Sequence, residues 1–309
     1  MKILLLVDKL NWAYHSIAKS LCKYNTEKNI SFDVLPIKGG IDRIKKEYHK
    51  YDLFYIMGFQ TDKKIGFLPK NKTVVGIHSC HSWDNKQTTP MNVVYPNSNL
   101  VDHLNSYLRV NVVSKYLYDV FKKSGLNNLY CTPNGVDSNI FIPQENKNKK
   151  FTIGYSGTKT HDWRKGITEF IIPAAKKSKV KVNLAMRSTG SYIPLEEMPS
   201  FYNTLDVYVC ASASEGFSLS VLEAASCGVP IISTKITGCK ELIEHGRNGL
   251  FVDRNVDDIS KKIDIMKDYE FRNFMGKNIR DDVVKHHCWS KKIDKWISFL
   301  KGEQLYANS

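Results

Sequence analysis

Short apolar runs alternate with helical patterns along most of the chain. Residues 2–7, KILLLV, make an unbroken run of strand length. WAYHSIAKSLCKY at 12–24 changes the period and places Ile17, Ala18, Leu21 and Cys22 on one helical face. SFDVLPI, DLFYIMG, TVVGIHS, VNVVS and NLYCTP then follow as strand candidates, with KYLYDVFKKSG at 115–125 as a helix between the last two. After the polar segment PQENKNKK at 143–150 the alternation begins again. FTIGYSG, VKVNLAM, DVYVCAS, VPIISTK and GLFV read as strands, and KGITEFIIPAAKKS, MPSFYNTL and CKELIEHG as helices. Strands alternating with helices predict parallel sheets covered on both faces. The polar segment reads as a linker. The expected architecture is therefore α/β with two domains in tandem, residues 1–143 and 150–285. A last helix in 286–309 presents Ile293, Trp296, Ile297 and Leu300 on one face. Packing of that helix back on the first domain is one reading, and a membrane-surface role for its lysines the other.

Composition agrees with a folded chain: of 309 residues, 42% are hydrophobic and 25% charged, which excludes a largely disordered protein. The apolar run at the amino terminus ends at Asp8 without a small-residue cleavage site, and no stretch approaches the roughly 18 apolar residues that span a bilayer. The expected location is the cytoplasm, with the inner membrane surface as its variant. Seven scattered cysteines without a C-x-x-C pair point to reduced thiols rather than a disulfide framework or zinc site. The net charge of +14 is spread evenly over both halves of the chain, and no aromatic-basic motif accompanies it, so no nucleic-acid partner is indicated.

The segment SEGFSLSVLEAASCGVP at 214–230 carries two acids, Glu215 and Glu223, among small and apolar residues. It follows the strand DVYVC, so Glu215 falls in the loop at the strand's carboxyl end. A helix is expected from an N-cap at Ser218 to about Cys227, with Gly228 left-handed after it and Pro230 preventing continuation. Glu223 then lies inside the helix. Gly216 allows close backbone approach, and the N–H groups of about 216–219 at the positive helix end suit an anion. An ordinary strand-loop-helix unit with acids at its ends fits the same residues.

The run from Asp206 to Val252 resembles the donor-binding core of glycosyltransferase family 4, whose signature is E-x7-E inside EGFxLxxxEAxAxGxP. PNGVDSNIFIP at 133–143 is similar to that family's interdomain segment, and GYSGTKTHDWRKGI at 154–167 to its glycine loop ending in Lys-Gly. The resemblance implies a GT-B fold, two Rossmann-like α/β domains facing across a cleft, with the donor held mainly by the second. It implies a retaining transferase that passes a sugar from a UDP- or GDP-linked donor to a hydroxyl of a glycan or lipid-linked acceptor. No metal and no other cofactor is implied. Glu223 would accept from the ribose hydroxyls and Glu215 would hold the donor sugar, with Gly216, Phe217, Ser218 and Leu219 contacting sugar and phosphates. Gly157 would open the phosphate loop and Lys165 neutralise the diphosphate. The family's Arg after that glycine is missing, since Thr158 follows Gly157, and either Lys159 or Arg164 stands in.

In the first domain HSCHSW at 78–83 follows the strand TVVGI. Its H-x-x-H lacks a fourth ligand at metal spacing. The resemblance assigns a sugar-contacting His here, with His81 the better match and His78 the runner-up. A core histidine is the plain alternative. Asn11 and Trp12 stand where relatives carry Gly-Gly on the acceptor side; Trp12 either stacks on a sugar or anchors its helix. Tyr192 would flank the nucleobase. The rival readings are a GT-B nucleotide-sugar epimerase and a non-catalytic sugar-nucleotide or glycan-binding module.

Overall fold

The computed structural model describes residues 1–80, 93–145, 150–186 and 193–303. The chain divides into two compact units. The first contains residues 1–80, 93–134 and the carboxyl-terminal 289–303; the second contains 135–145, 150–186 and 193–288.

The first unit is a six-stranded parallel sheet in the order β2-β1-β3-β4-β5-β6. Its strands are β1 (Lys2–Val7), β2 (Ser31–Pro36), β3 (Leu53–Ile56), β4 (Thr73–Ile77), β5 (Arg109–Val112) and β6 (Leu129–Cys131). The unbroken apolar β1 is fully buried from Ile3 to Val7, between β2 and β3. Each such side chain contributes roughly 1.5–3 kcal/mol relative to exposure. Helix Ala13–Tyr24 buries Ile17, Ala18 and Leu21, but Cys22 is exposed. At about 100° per residue Cys22 is rotated some 140° from Ile17, beyond the buried stripe.

Helix Trp289–Lys301 completes this unit's core. Trp296 is fully buried and donates its indole N–H to Pro133 O at 2.9 Å, while Phe299 packs on Tyr55 and Tyr130 at 5.6 and 5.5 Å. Arg109 Nη2 caps the helix by donating to Leu300 O at 2.7 Å.

The second unit is a five-stranded parallel sheet in the order β11-β10-β9-β7-β8. Its strands are β7 (Thr152–Gly157), β8 (Lys181–Met186), β9 (Val207–Cys210), β10 (Ile231–Thr234) and β11 (Gly249–Val252). The unit begins at Gly135, not after residue 143. The reason is that 135–143 packs on this unit's helices: Arg280 Nη1 donates to Phe141 O at 2.8 Å and Ser226 Oγ to the same carbonyl at 2.7 Å. It ends at Cys288 rather than 285, because Val136 N–H donates to His287 O. The helix expected from 165 to 178 opens as a π turn, Ile167–Ile171, before an α segment Ile172–Lys177. Pro173 lacks the N–H a regular helix would need, and the wider turn accommodates it. CKELIEHG is helical only over Cys239–Leu242, since Ile243 is extended and Glu244 N–H bonds Asn248 Oδ1.

Chain order reverses direction across each sheet where β1 meets β3 and where β7 meets β9. In open α/β sheets the carboxyl ends of strands at such points diverge and leave room for ligands.

Candidate functional site

In the second unit β7 and β9 deliver their following loops to the same point. After Gly157 the chain makes an exposed turn at Lys159 and a short helix, Asp162–Lys165, closed by Gly166 at φ +70°. A side chain at Gly166 would be strained by that φ, and its Cβ would lie 3.0 Å from Ala211 O. The close approach lets Ala213 N–H donate to Arg164 O at 2.8 Å. Arg254, beyond β11, joins the same loops: Nε donates to Ala211 O at 2.9 Å and Nη2 to Trp163 O at 2.8 Å.

This lacing sets Arg164 and Lys165 against Glu215. Lys165 Nζ pairs with Glu215 Oε1, Arg164 Nη1 lies 3.3 Å from Oε2, and Ser212 Oγ donates to Oε1 at 2.9 Å. The side chains of Arg164, Glu215 and Lys165 are 7%, 11% and 16% exposed, so the three charges are largely removed from water. Burial alone would push the Glu215 carboxyl up. Lys165 and then Arg164 overcome it and hold the group at about 2, fully ionised at neutral pH. The sequence had given Glu215 no cation; the fold gives it two. Arg164 Nε, Ser214 Oγ and the Tyr155 hydroxyl are buried here without a hydrogen-bond partner among the described residues.

Glu223 sits differently. Helix Leu219–Ser226 starts after Ser218, as expected, but the Ser218 hydroxyl bonds Ser220 Oγ at 3.1 Å and makes no capping bond to the backbone. Gly228 takes φ +75° just past the helix end. Gly216 and Phe217 are buried, while Ser218, Leu219 and Glu223 keep some exposure. Phe217 packs over Gly238, where an added Cβ would meet its ring at 3.0 Å. Glu223 has no ion pair among the described residues; Tyr202 donates its hydroxyl to Glu223 Oε2 at 2.7 Å. Burial raises the carboxyl to about 7, with the Tyr202 bond opposing that rise.

In the first unit His78 follows β4 and lies among aromatics. Its ring is 4.9 Å from Tyr14 and 6.3 Å from Trp296, and Nε2 is 3.3 Å from the Tyr55 hydroxyl. Burial lowers it to about 3, so it is neutral. Asn11 takes φ 56°, and its N–H donates to His15 Nδ1 at 2.9 Å. Trp12 is not a core anchor: it precedes the helix as N-cap, half-exposed, with Lys9 Nζ 3.6 Å from its ring centroid. His81 and Tyr192 lie outside the described residues. Among the described residues no group of three His, Cys, Asp or Glu is placed to hold a metal, and no helix is long and apolar enough to cross a membrane.

The fold matches known ones over nearly the whole chain. HepE of Anabaena, in a crystal structure with UDP and glucose, aligns with a TM-score of 0.73 at 16% identity, covering 97% of this chain and 99% of that one. Sucrose-phosphate synthase of Thermosynechococcus elongatus gives 0.73 at 14% identity, covering 97% and 98%. At such identity the likeness shows the fold, GT-B, with two Rossmann-like parallel-sheet domains. Residues 188–282 match the family described as Glycosyl transferases group 1. A capsular polysaccharide biosynthesis glycosyltransferase of Staphylococcus aureus is 28% identical over 213 residues, 57% of this chain and 56% of that protein. An N-acetylgalactosaminyltransferase of Campylobacter jejuni, named for N,N'-diacetylbacillosaminyl-diphospho-undecaprenol, is 29% identical over 144 residues, 40% and 38% of the two chains. The alignments span about half or less of these relatives' lengths.

The group 1 segment contains Glu215, Glu223, Ser212 and Tyr202; Gly157, Lys159, Arg164 and Lys165 precede it, and Asn11, Trp12 and His78 belong to the other unit. Of the two cations weighed beside Lys165, Arg164 shares Glu215 with it, and Lys159 stands on the exposed turn. Ser212, Arg254 and Tyr202 were missed. Ser212, three residues before an expected site acid at a strand end, offered a signal; Tyr202 and Arg254 act from other elements, and their spacing announces nothing.

Proposed function

We propose that this protein is a group 1 glycosyltransferase that moves a sugar from a nucleoside diphosphate donor to a hydroxyl of a glycan or lipid-linked acceptor. The observation that carries the reading is a buried, ionised Glu215 shared by Arg164 and Lys165 at the β7/β9 switch point. The donor's diphosphate needs fixed positive charge as the bond from the sugar's anomeric carbon to the phosphate oxygen breaks. Arg164 and Lys165 supply two cations there without metal, and Arg suits bidentate phosphate contact. Glu215 accepts from a sugar hydroxyl, Glu223 from the ribose, and the N–H groups at Gly216, Phe217, Ser218 and Leu219 face sugar and phosphates. Gly157 and the Lys159 turn border the phosphates.

The resemblance to retaining transferases supports a step in which the acceptor hydroxyl's proton goes to the departing phosphate as the new carbon–oxygen bond forms on the same face, so that the anomeric configuration is retained. His78 or His81, with Asn11 and Trp12, serves the sugar and acceptor side. Relatives named for capsular polysaccharide and undecaprenol-linked sugar transfer favour a cell-surface glycan as product, made at the inner membrane face.

A thermal-shift panel of UDP, GDP and ADP tests the reading. A nucleotide at 100 times its dissociation constant should stabilise by about 2.7 kcal/mol. Turnover with the matching sugar nucleotide should release the free diphosphate, persist in EDTA and give a product of unchanged anomeric configuration by NMR. Absence of any shift would sink the reading. Binding untouched by Glu215→Ala and without turnover would favour a non-catalytic module instead, and a 2-epimer without transfer an epimerase.

A further inference from the structure

A buried chain of hydroxyl groups runs from Glu223 into the sheet, and nothing in the reaction proposed above uses it. Tyr202, from the short helix Met198–Tyr202, is fully buried and donates to Glu223 Oε2 at 2.7 Å. Its oxygen lies 2.9 Å from Ser156 Oγ, which lies 3.2 Å from the Tyr208 hydroxyl. Tyr208 in turn is held by Ser156 itself, accepting from its N–H and reaching its carbonyl, each at 3.2 Å. A hydroxyl has one proton to give. Once Tyr202 gives its proton to the carboxylate, Ser156 must donate to Tyr202, while the Tyr208 hydroxyl donates to the Ser156 carbonyl. Ionised Glu223 therefore sets the direction of the Tyr202–Ser156 bond, and Ser156 immediately precedes Gly157.

We propose that Tyr202 is a positioning residue that fixes Glu223, in orientation and as a carboxylate, for accepting the hydroxyls of the nucleotide's ribose. The proposal rests on the donor site proposed above. A carboxylate can accept from two vicinal hydroxyls, whereas a carboxylic acid spends one oxygen on its own proton. With one Glu223 oxygen engaged by Tyr202, the group cannot rotate freely, and donation favours its charged form. Burial works the other way and is the larger influence, and the Tyr202 bond is what opposes it.

The other titratable groups on elements packed against helix Leu219–Ser226 do not replace it. Cys227 follows the helix, and Cys210 and Tyr208 lie on β9. Arg280, on helix Tyr269–Asp282, turns its guanidinium to Ser226 O and Oγ. His287 faces Phe217, and Lys285 and His286 are exposed.

The test measures affinity by calorimetry from pH 6 to 9 for UDP, GDP and ADP and their 2′,3′-dideoxy forms. In the wild type, binding of the preferred ribonucleotide should strengthen as pH rises through about 7. Tyr202→Phe keeps the ring, which packs on Phe141, Phe201 and Tyr208, and removes only the donor. It should weaken the ribonucleotide about tenfold at pH 7.5, move the rise to higher pH and leave the dideoxy form unchanged. Equal loss for both forms, or an unmoved pH profile, overturns the proposal. If Tyr202→Phe does not fold, Ser156→Ala must show the same selective loss to a smaller degree, and its failure to do so is equally decisive. A wild type that binds none of the nucleotides brings down the donor site itself and this proposal with it.

Discussion

The loop acid Glu215 and the helix acid Glu223 belong to one short segment, yet their surroundings drive them in opposite directions. Glu215 is enclosed by Arg164, Lys165 and Ser212, all donors, and is held at about 2. Among the described residues Glu223 meets a single neutral donor, Tyr202, and burial lifts it to about 7. The difference comes from what other elements carry to each position. The short helix after β7 brings cations to the loop, and the helix before β9 brings a phenol to Glu223. Charge state is thus decided by the packing of the sheet's loops rather than by residue type.

The sharpest way to break this contrast is Glu215→Gln. It leaves two buried cations without a counter-charge and should cost about 3–5 kcal/mol in urea unfolding at pH 7. A loss below about 1 kcal/mol would mean the cluster is far better hydrated than its geometry implies. Because the Glu215 carboxyl is depressed in the folded state, its contribution is present above the ordinary carboxylate value of 4.5 and lost as pH falls towards 2. The gap between wild type and Glu215→Gln should therefore close in that window.

Arg254→Ala should follow at about 2 kcal/mol, since charged hydrogen bonds to Ala211 O and Trp163 O are lost. Should the variant bind nucleotide as tightly as wild type, the lacing of the loops does not govern the cations. Gly166→Ala should cost about 1–2 kcal/mol through its positive φ alone, read as a lower melting temperature.

At pH 4.5 Glu223→Gln should have the smallest effect, within about 1 kcal/mol, and its dependence on pH is the informative part. A raised folded-state value means that wild type loses stability as pH climbs from 4.5 to about 7. The Gln variant lacks that slope. Its melting temperature should gain on wild type through this range and hold level above it; parallel curves would refute the raised value.

The alternation of strands and helices was legible because β1, β3 and β4 are almost wholly apolar and the helix at 13–24 keeps a clear stripe. Boundaries were less so, since residues 135–143 look like linker but are claimed by hydrogen bonds from Arg280 and Ser226. The spacing of Glu215 and Glu223 on loop and helix was readable for the same reason as the fold: strand, glycine and helix stop are local signals. Their partners were not. Arg164, Tyr202 and Arg254 reach the acids or their loops from distant positions, and a single sequence carries no record of which side chains meet across a sheet edge.

Helix Trp289–Lys301 supplies Trp296 and Phe299 to a core whose strands all lie before residue 134. During synthesis the amino-terminal sheet must wait for the entire second unit to emerge, on the order of ten seconds at ordinary ribosome speeds. The unit begun first is thus expected to be finished last, its exposed Tyr55 face a target for holding chaperones meanwhile. A released chain ending at Cys288 should show the second unit resisting protease and the first one cut.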